Sequence, residues 1–241
     1  MNVGGIYTDP FHAPTKASAN IFGYDAPWFG GLRFIGSSKD TPTKFTTIGC
    51  DDGYHFWVLA GEFTGGAYGK EGALAVDMNF TPKAPGVGLL KCSYAPGALS
   101  FLNDDGITVG NTWSRLKAEA AAADILLERA TKHSAFNEVN GLYVDLSIYK
   151  PGSFAGIRVI SDRLGKFLRD EICVVGTDDG EEWWSMDGGA FVDKSTGKFR
   201  VGPLIVGTSN NGTIRLEDGS EWIKMVPKSD FHSLPKEAIN N

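Results

Sequence analysis

Apolar residues gather in short runs along this chain, and glycine or an Asp-Gly pair closes nearly every run. In the first half the runs are "LRFIG", "KFTTIG", "HFWVLAG", "ALAVDMNF" and "ALSFL"; in the second they are "IRVIS", "ICVVG", "EWWSM", "FRVGPLIVG" and "TIRLE". Their length and their β-branched and aromatic content predict short antiparallel strands. Asp-Gly between such runs is a strong hairpin signal, because glycine tolerates the positive φ of tight turns. It occurs at Asp52-Gly53, Asp105-Gly106, Asp179-Gly180 and Asp218-Gly219, and Asn211-Gly212 adds another. One segment breaks the pattern. Residues 114–137, "SRLKAEAAAADILLERATKHSAFN", hold no Gly or Pro, and Leu116, Ala120, Ala123 and Leu127 fall at helical spacing behind a Ser114 N-cap. A helix of about 20 residues, roughly 30 Å long, is expected there.

The runs also repeat in order. "GGIYTDP" from Gly4 returns as "NGLYVDL" from Asn140, and "WFGGLRFI" from Trp28 returns as "SFAGIRVI" from Ser153. "TIGCDDGYHFWVLAG" from Thr47 returns as "VVGTDDGEEWWSMDG" from Val174. "GALSFLNDDG" with "TWSRL" returns as "GTIRLEDG" with "EWIKM". Four blocks in one order indicate a tandem duplication with divergent loops. The expected architecture is mainly β: two homologous antiparallel β-sandwich or half-barrel domains, related by a pseudo-two-fold and joined by one α-helix. Copy one spans 1–116, the helical linker 117–139, copy two 140–226, and an extended C-terminal arm 227–241.

Composition narrows the partners. The 241 residues are 42% hydrophobic and 22% charged, ordinary for a soluble globular protein. A net charge of −6 argues against nucleic acid or an anionic membrane as the main partner. No apolar run approaches the roughly 20 residues of a membrane span. The start, "MNVGGIYTDPFH", has neither the charged region nor the apolar core of a secretory signal. Cys50, Cys92 and Cys173, odd in number and widely spaced, read as buried thiols in a reducing intracellular setting rather than a disulfide framework or zinc site.

Having two copies tests each chemical candidate, since a shared site keeps its residue types. Cys50 and His55 flank a turn as a thiol and its base would, but copy two has Thr177 and Glu182 there. His12, His55, His133 and His232 show no metal-ligand spacing, so no metal or cofactor is expected. The acidic pairs Asp51/Asp52 and Asp178/Asp179 recur; they suit turns, with a calcium site or a glycosidase pair as the alternative. Glu181 and Glu182 do not recur and read as a private charged edge of copy two. Trp57/Trp184 and Trp113/Trp222 recur as core anchors; the alternative is a small-molecule or carbohydrate platform on Trp57 and Trp184. Arg33 and Arg158 recur within strands, where a buried guanidinium needs a carboxylate such as Asp9/Asp145 or a turn Asp. Asp52, Gly53, Asp179 and Gly180 complete a recurring set that describes a fold and holds no catalytic constellation, so the chain reads as a non-enzyme.

"GIYTDPFH", "FGGLRFIG", "GCDDGYHFW", "VDMNFTPKAPGVG" and "LNDDGITVGNTW" resemble a small β-domain found singly or in tandem in algal proteins. Copy two departs from its pattern, lacking the Pro-x-His after Asp145 and the Thr-Pro-Lys of residues 81–83. Copy one inserts residues between Gly106 and Trp113. Two such domains in one chain are similar to the organisation of the diatom-type pyrenoid shell proteins. That resemblance implies a structural protein that self-assembles into a sheet-like or tubular lattice around a Rubisco condensate in the chloroplast. Its partners would be copies of itself and the condensate, with no cofactor.

Overall fold

A computed structural model describes residues 2–12, 31–51, 56–68, 72–106, 108–117, 128–129, 139–150, 152–162, 171–193, 196–201, 205–210 and 212–226. The described residues form seventeen strands and no helix. The first eight are β1 (Gly5–Thr8), β2 (Leu32–Ser38), β3 (Lys44–Cys50), β4 (Phe56–Phe63), β5 (Leu74–Asn79), β6 (Leu89–Ala95), β7 (Ala98–Leu102) and β8 (Val109–Arg115). A two-residue strand, β9 (Glu128–Arg129), follows. The rest are β10 (Gly141–Asp145), β11 (Ile157–Asp162), β12 (Glu171–Thr177), β13 (Trp183–Val192), β14 (Lys198–Val201), β15 (Ile205–Asn210), β16 (Thr213–Leu216) and β17 (Glu221–Val226).

Each strand from β1 to β8 pairs antiparallel with the next, and β1 lies between β2 and β8, with Tyr7 opposite both Arg33 and Arg115. The eight strands therefore close into a barrel. Strands β10 to β17 run the same course, and Tyr143 of β10 stands opposite Arg158 of β11 and Lys224 of β17. The expected sandwich or half-open barrel is thus corrected to closed up-and-down barrels. Closure pairs the edges that an open sheet would leave bare.

The joining helix is corrected as well, where residues are described. Ser114 and Arg115 finish β8, and Glu128–Arg129 pair with Val226 and Met225 of β17. The pairing of β16 with β17 stops at Ile223, so β17 runs on past its neighbour and β9 covers the exposed edge. The other residues of 118–138 lie outside the described residues, as does the expected arm 227–241.

The described residues form three cores. One fills barrel one, including Tyr7, Ile35, Phe45, Trp57, Leu59 and Trp113. A smaller one fills barrel two around Tyr143, Ile160, Val174, Phe199 and Trp222. The third lies between the barrels: Ile6, Leu32, Phe34, Ile48 and Val58 meet Leu142, Val144, Ile157, Val159 and Val175. This is why β10 and most of β1, β2 and β3 are buried on both faces while β7 and β16 alternate. The barrels also share a short parallel pairing, Trp184 and Ser185 of β13 against Ser37 and Ser38 of β2. Gly36 permits it, since a Cβ there would stand 2.3 Å from the Trp184 carbonyl oxygen.

Candidate functional site

Register places Arg33 on the inward face of β2, at the barrel end where β1 and β3 finish. It is fully buried. One guanidinium nitrogen donates to the carbonyls of Leu32 (2.9 Å) and Cys50 (2.8 Å). The other donates to Asp9 Oδ2 and Asp51 Oδ1, both at 2.7 Å. The guanidinium carbon lies 4.8 Å from the Trp57 ring centroid and 5.3 Å from that of Trp113. Two carboxylates offset the desolvation of the charge, and two indole faces add cation–π attraction of about 2 kcal/mol each when dry.

His12 and Lys83 close this end of barrel one. His12 Nδ1 stands 2.9 Å from Asp9 Oδ2, and Lys83 Nζ pairs with Asp51 Oδ2 at 2.5 Å while lying 4.3 Å from the Trp57 ring centroid. Asn111 Nδ2 donates to Asp9 Oδ1 at 3.0 Å. Burial pushes the Asp9 carboxyl up. The hydrogen bond from His12, the charge of Arg33 and the Asn111 amide outweigh it and hold that carboxyl well below the usual range. Lys83 arrives on the nine residues between β5 and β6 (80–88), whose Phe80 ring packs on Phe101 with centroids 5.7 Å apart.

Barrel two builds the same centre. Arg158 donates to the carbonyls of Ile157 (3.0 Å) and Thr177 (2.6 Å), and to Asp145 Oδ2 (3.3 Å) and Asp178 Oδ1 (2.6 Å). Its guanidinium lies 5.0 Å from the Trp184 centroid and 5.5 Å from that of Trp222. Burial lowers the affinity of Arg158 for its proton, and the charges of Asp178 and Asp145 oppose that shift. Trp222 Nε1 donates to Asp145 Oδ2 at 3.1 Å, a role that Asn111 takes on the opposite carboxylate oxygen in barrel one. Glycines beneath the inner tryptophans are needed in both: a Cβ on Gly49 would stand 2.3 Å from the Trp57 ring, and one on Gly176 2.9 Å from Trp184.

The outer ends differ. Three residues (202–204) separate β14 from β15, in place of the nine in barrel one, and no counterpart of Lys83 or His12 occurs among the described residues. The Asp178 side chain is 60% exposed, against 27% for Asp51.

The sequence candidates sort as follows. Arg33, Trp57 and Trp113 come together in barrel one, and Arg158, Trp184 and Trp222 in barrel two. The acidic pair divides its work: Asp178 holds Arg158, whereas Asp179 accepts the amides of Glu181 and Glu182, each at 2.8 Å. Those two bonds hold the Asp179 carboxyl below its ordinary range. Gly180 takes φ +90 to complete this turn. Asp52, Gly53 and His55 lie outside the described residues. Cys50 packs fully buried in the core between the barrels. Cys92 and Cys173 are buried too, none of the three is disulfide-bonded, and burial pushes the Cys92 thiol up. Glu181 takes part in the joint between barrels, its carbonyl accepting from Asn2 Nδ2 at 3.4 Å. Sequence reasoning missed three residues: His12 and Lys83, whose signal was their presence in one copy only, and Trp183, buried between the barrels against Phe154.

The fold and these centres define a class: paired, closed, eight-stranded antiparallel barrels, each filled and locked by a buried arginine between two tryptophans. Comparison with protein-family models, with curated proteins and with solved structures returns no match. Among the described residues no group of three or more His, Cys, Asp or Glu is placed to hold a metal ion. No described helix is long and apolar enough to cross a membrane.

Proposed function

We propose that this chain is a non-enzymatic structural protein that assembles with copies of itself into a sheet-like or tubular lattice, and that its two barrels arose by duplication. Matching strand order and matching Arg–Asp–Trp centres support the duplication. The observation that carries the assembly reading is the placement of exposed apolar side chains. Phe11, Val87, Leu89, Val109 and Leu146 are the exposed large hydrophobics among the described residues. All five stand at one type of barrel end, where β1, β5 and β7 of barrel one, and β10 of barrel two, finish and the strand after each begins. Apolar groups sorted to one end mark a contact surface.

Barrel one offers a small molecule little room. An eight-stranded barrel is just wide enough for side chains to fill, and here Arg33, Tyr7, Phe45 and Trp113 fill it. Trp57, one half of the alternative ligand platform, is buried beside Lys83. Two quasi-equivalent barrels give each subunit two similar surfaces, and contacts that do not close propagate into open arrays. The resemblance to pyrenoid shell proteins extends this proposal to a layer around a Rubisco condensate in the chloroplast. Negative-stain micrographs of the purified protein at micromolar concentration are expected to show sheets or tubes. A monomer that persists across salt and concentration would count against the proposal.

A further inference from the structure

A cleft of about 740 Å³ opens between the barrels, at the end of barrel one opposite Arg33, where β1 begins and β8 finishes. Its floor is apolar. Ile6 and Leu116 come from barrel one, and Phe154 and Trp183, with ring centroids 6.3 Å apart, come from barrel two. A concave, mostly apolar space between two folded units, with a few polar groups converging on it, is the usual setting for a small organic ligand.

Arg115 gives this cleft its chemistry. It is the last residue of β8 and lines the cleft. Its side chain crosses the backbone of Gly5 so closely that a Cβ there would stand 2.5 Å from Nε. The missing side chain at Gly5 therefore lets the guanidinium lie where it does. Burial raises the Tyr94 hydroxyl, and the charge of Arg115 opposes that shift, so the cation acts across a partly dry barrel mouth. Arg33, Arg158 and Arg215 each pair with a carboxylate, whereas among the described residues none stands within ion-pairing distance of Arg115. Lys117 adds a positive charge to the lining and Glu181 a negative one, which leaves the described lining net positive.

Barrel two keeps the cation in a different setting. Lys224 stands opposite Tyr143 as Arg115 stands opposite Tyr7, and a Cβ on Gly141 would meet Lys224 Cε at 2.6 Å. Lys224 is buried, while Arg115 is half-buried and borders the cleft.

We propose that the cleft between the barrels binds a small organic anion, with its acidic head on the Arg115 guanidinium and its apolar body against Trp183, Phe154, Ile6 and Leu116. The planar fork of arginine takes two oxygens of a carboxylate, sulfonate or phosphate side by side, and a charge-assisted pair of this kind fixes the ligand's orientation. Glu181 disfavours a second negative charge on its side of the cleft. This inference stands apart from the lattice proposal, because the whole site lies within one chain.

Fluorescence titration of the full-length protein with anilinonaphthalene sulfonate, an aromatic anion, tests it, with dye emission sensitised by tryptophan. Saturable binding of a single dye per chain is expected. N-phenylnaphthylamine, which keeps the rings and lacks the sulfonate, should bind roughly tenfold weaker or worse, the loss expected for a charge-assisted hydrogen-bond pair. Arg115→Gln should weaken the sulfonate dye by a similar factor and leave the neutral dye unchanged, and Glu181→Gln should tighten the sulfonate dye. Phe11→Ser with Leu89→Ser should bind it as the parent does. Circular dichroism checks that each variant is folded; if Arg115→Gln is not, the two dyes and Glu181→Gln, an exposed position, decide the matter. Absence of binding, equal affinity for both dyes, or a dye affinity that follows Phe11 and Leu89 instead of Arg115 and Glu181 would overturn the proposal.

Discussion

Arg33 carries its charge at zero exposure, and the geometry around it shows what makes that tolerable. Two carboxylates and two carbonyls take its terminal nitrogens, and the fork of the guanidinium matches that arrangement in a way a single ammonium cannot. Replacing Arg33 by Ala is expected to cost about 3–5 kcal/mol, because Asp9 is left buried without its partner. Arg33→Lys should recover only a minor part of that loss. Urea unfolding followed by tryptophan emission measures both, with Trp57 and Trp113 as reporters. Asp9 also makes stability depend on pH. Its folded carboxyl is held below the ordinary value, so between the two values the unfolded chain binds more protons. The Asp9 contribution is therefore complete above about pH 5 and lost as pH falls below about 4 toward the lower folded value. The melting temperature should drop between pH 5 and pH 2, and Asp9→Asn should start lower and fall less steeply over that range.

At the scale of elements, the joint between barrels depends on β2 and β13 lying close enough to pair in parallel. Gly36 sets that distance, and a valine there would drive its side chain into the Trp184 backbone. Gly36→Val is expected to cost about 1–3 kcal/mol or more as overpacking and to loosen one barrel from the other. Far-ultraviolet dichroism and tryptophan fluorescence should then give separate unfolding midpoints where the parent protein gives one. The turn from Phe80 to Gly88 is the other element that decides behaviour, since it caps barrel one with Phe80 and Lys83 while barrel two has only three residues at that place. Strand positions were legible from apolar runs between glycines. The inter-barrel face was legible in principle, because β1 and β2 read apolar with little alternation, whereas β7 keeps its alternation.

For the whole molecule, the exposed apolar side chains gathered at barrel ends make the proposed assembly depend on a few positions. Phe11→Ser with Leu89→Ser is expected to abolish sheets or tubes in micrographs while leaving the melting temperature within a few degrees, since both side chains are exposed in the single subunit. Loss of assembly together with unfolding would instead assign those residues to the fold.

The amino-acid sequence alone determined that the protein is β-rich, that its blocks occur twice in order, and that Arg, Trp and Asp-Gly recur at matching places. These are local facts: strand propensity, turn chemistry and internal likeness each live within a few residues. Tertiary structure decided the rest. Closure depends on Tyr7 meeting Arg115 and Tyr143 meeting Lys224, pairings across more than 80 residues that no local pattern encodes (7 to 115, 143 to 224). The helical periodicity of 114–137 gave way at Ser114–Arg115 and Glu128–Arg129, where strand edges offered backbone hydrogen bonds. The stretch "VVGTDDGEEWW" likewise took its roles from the folded surroundings: the Asp178 carboxylate pairs with Arg158, the Asp179 carboxylate accepts the turn amides, and the backbone carbonyl of Glu181 accepts from Asn2 near the other end of the chain.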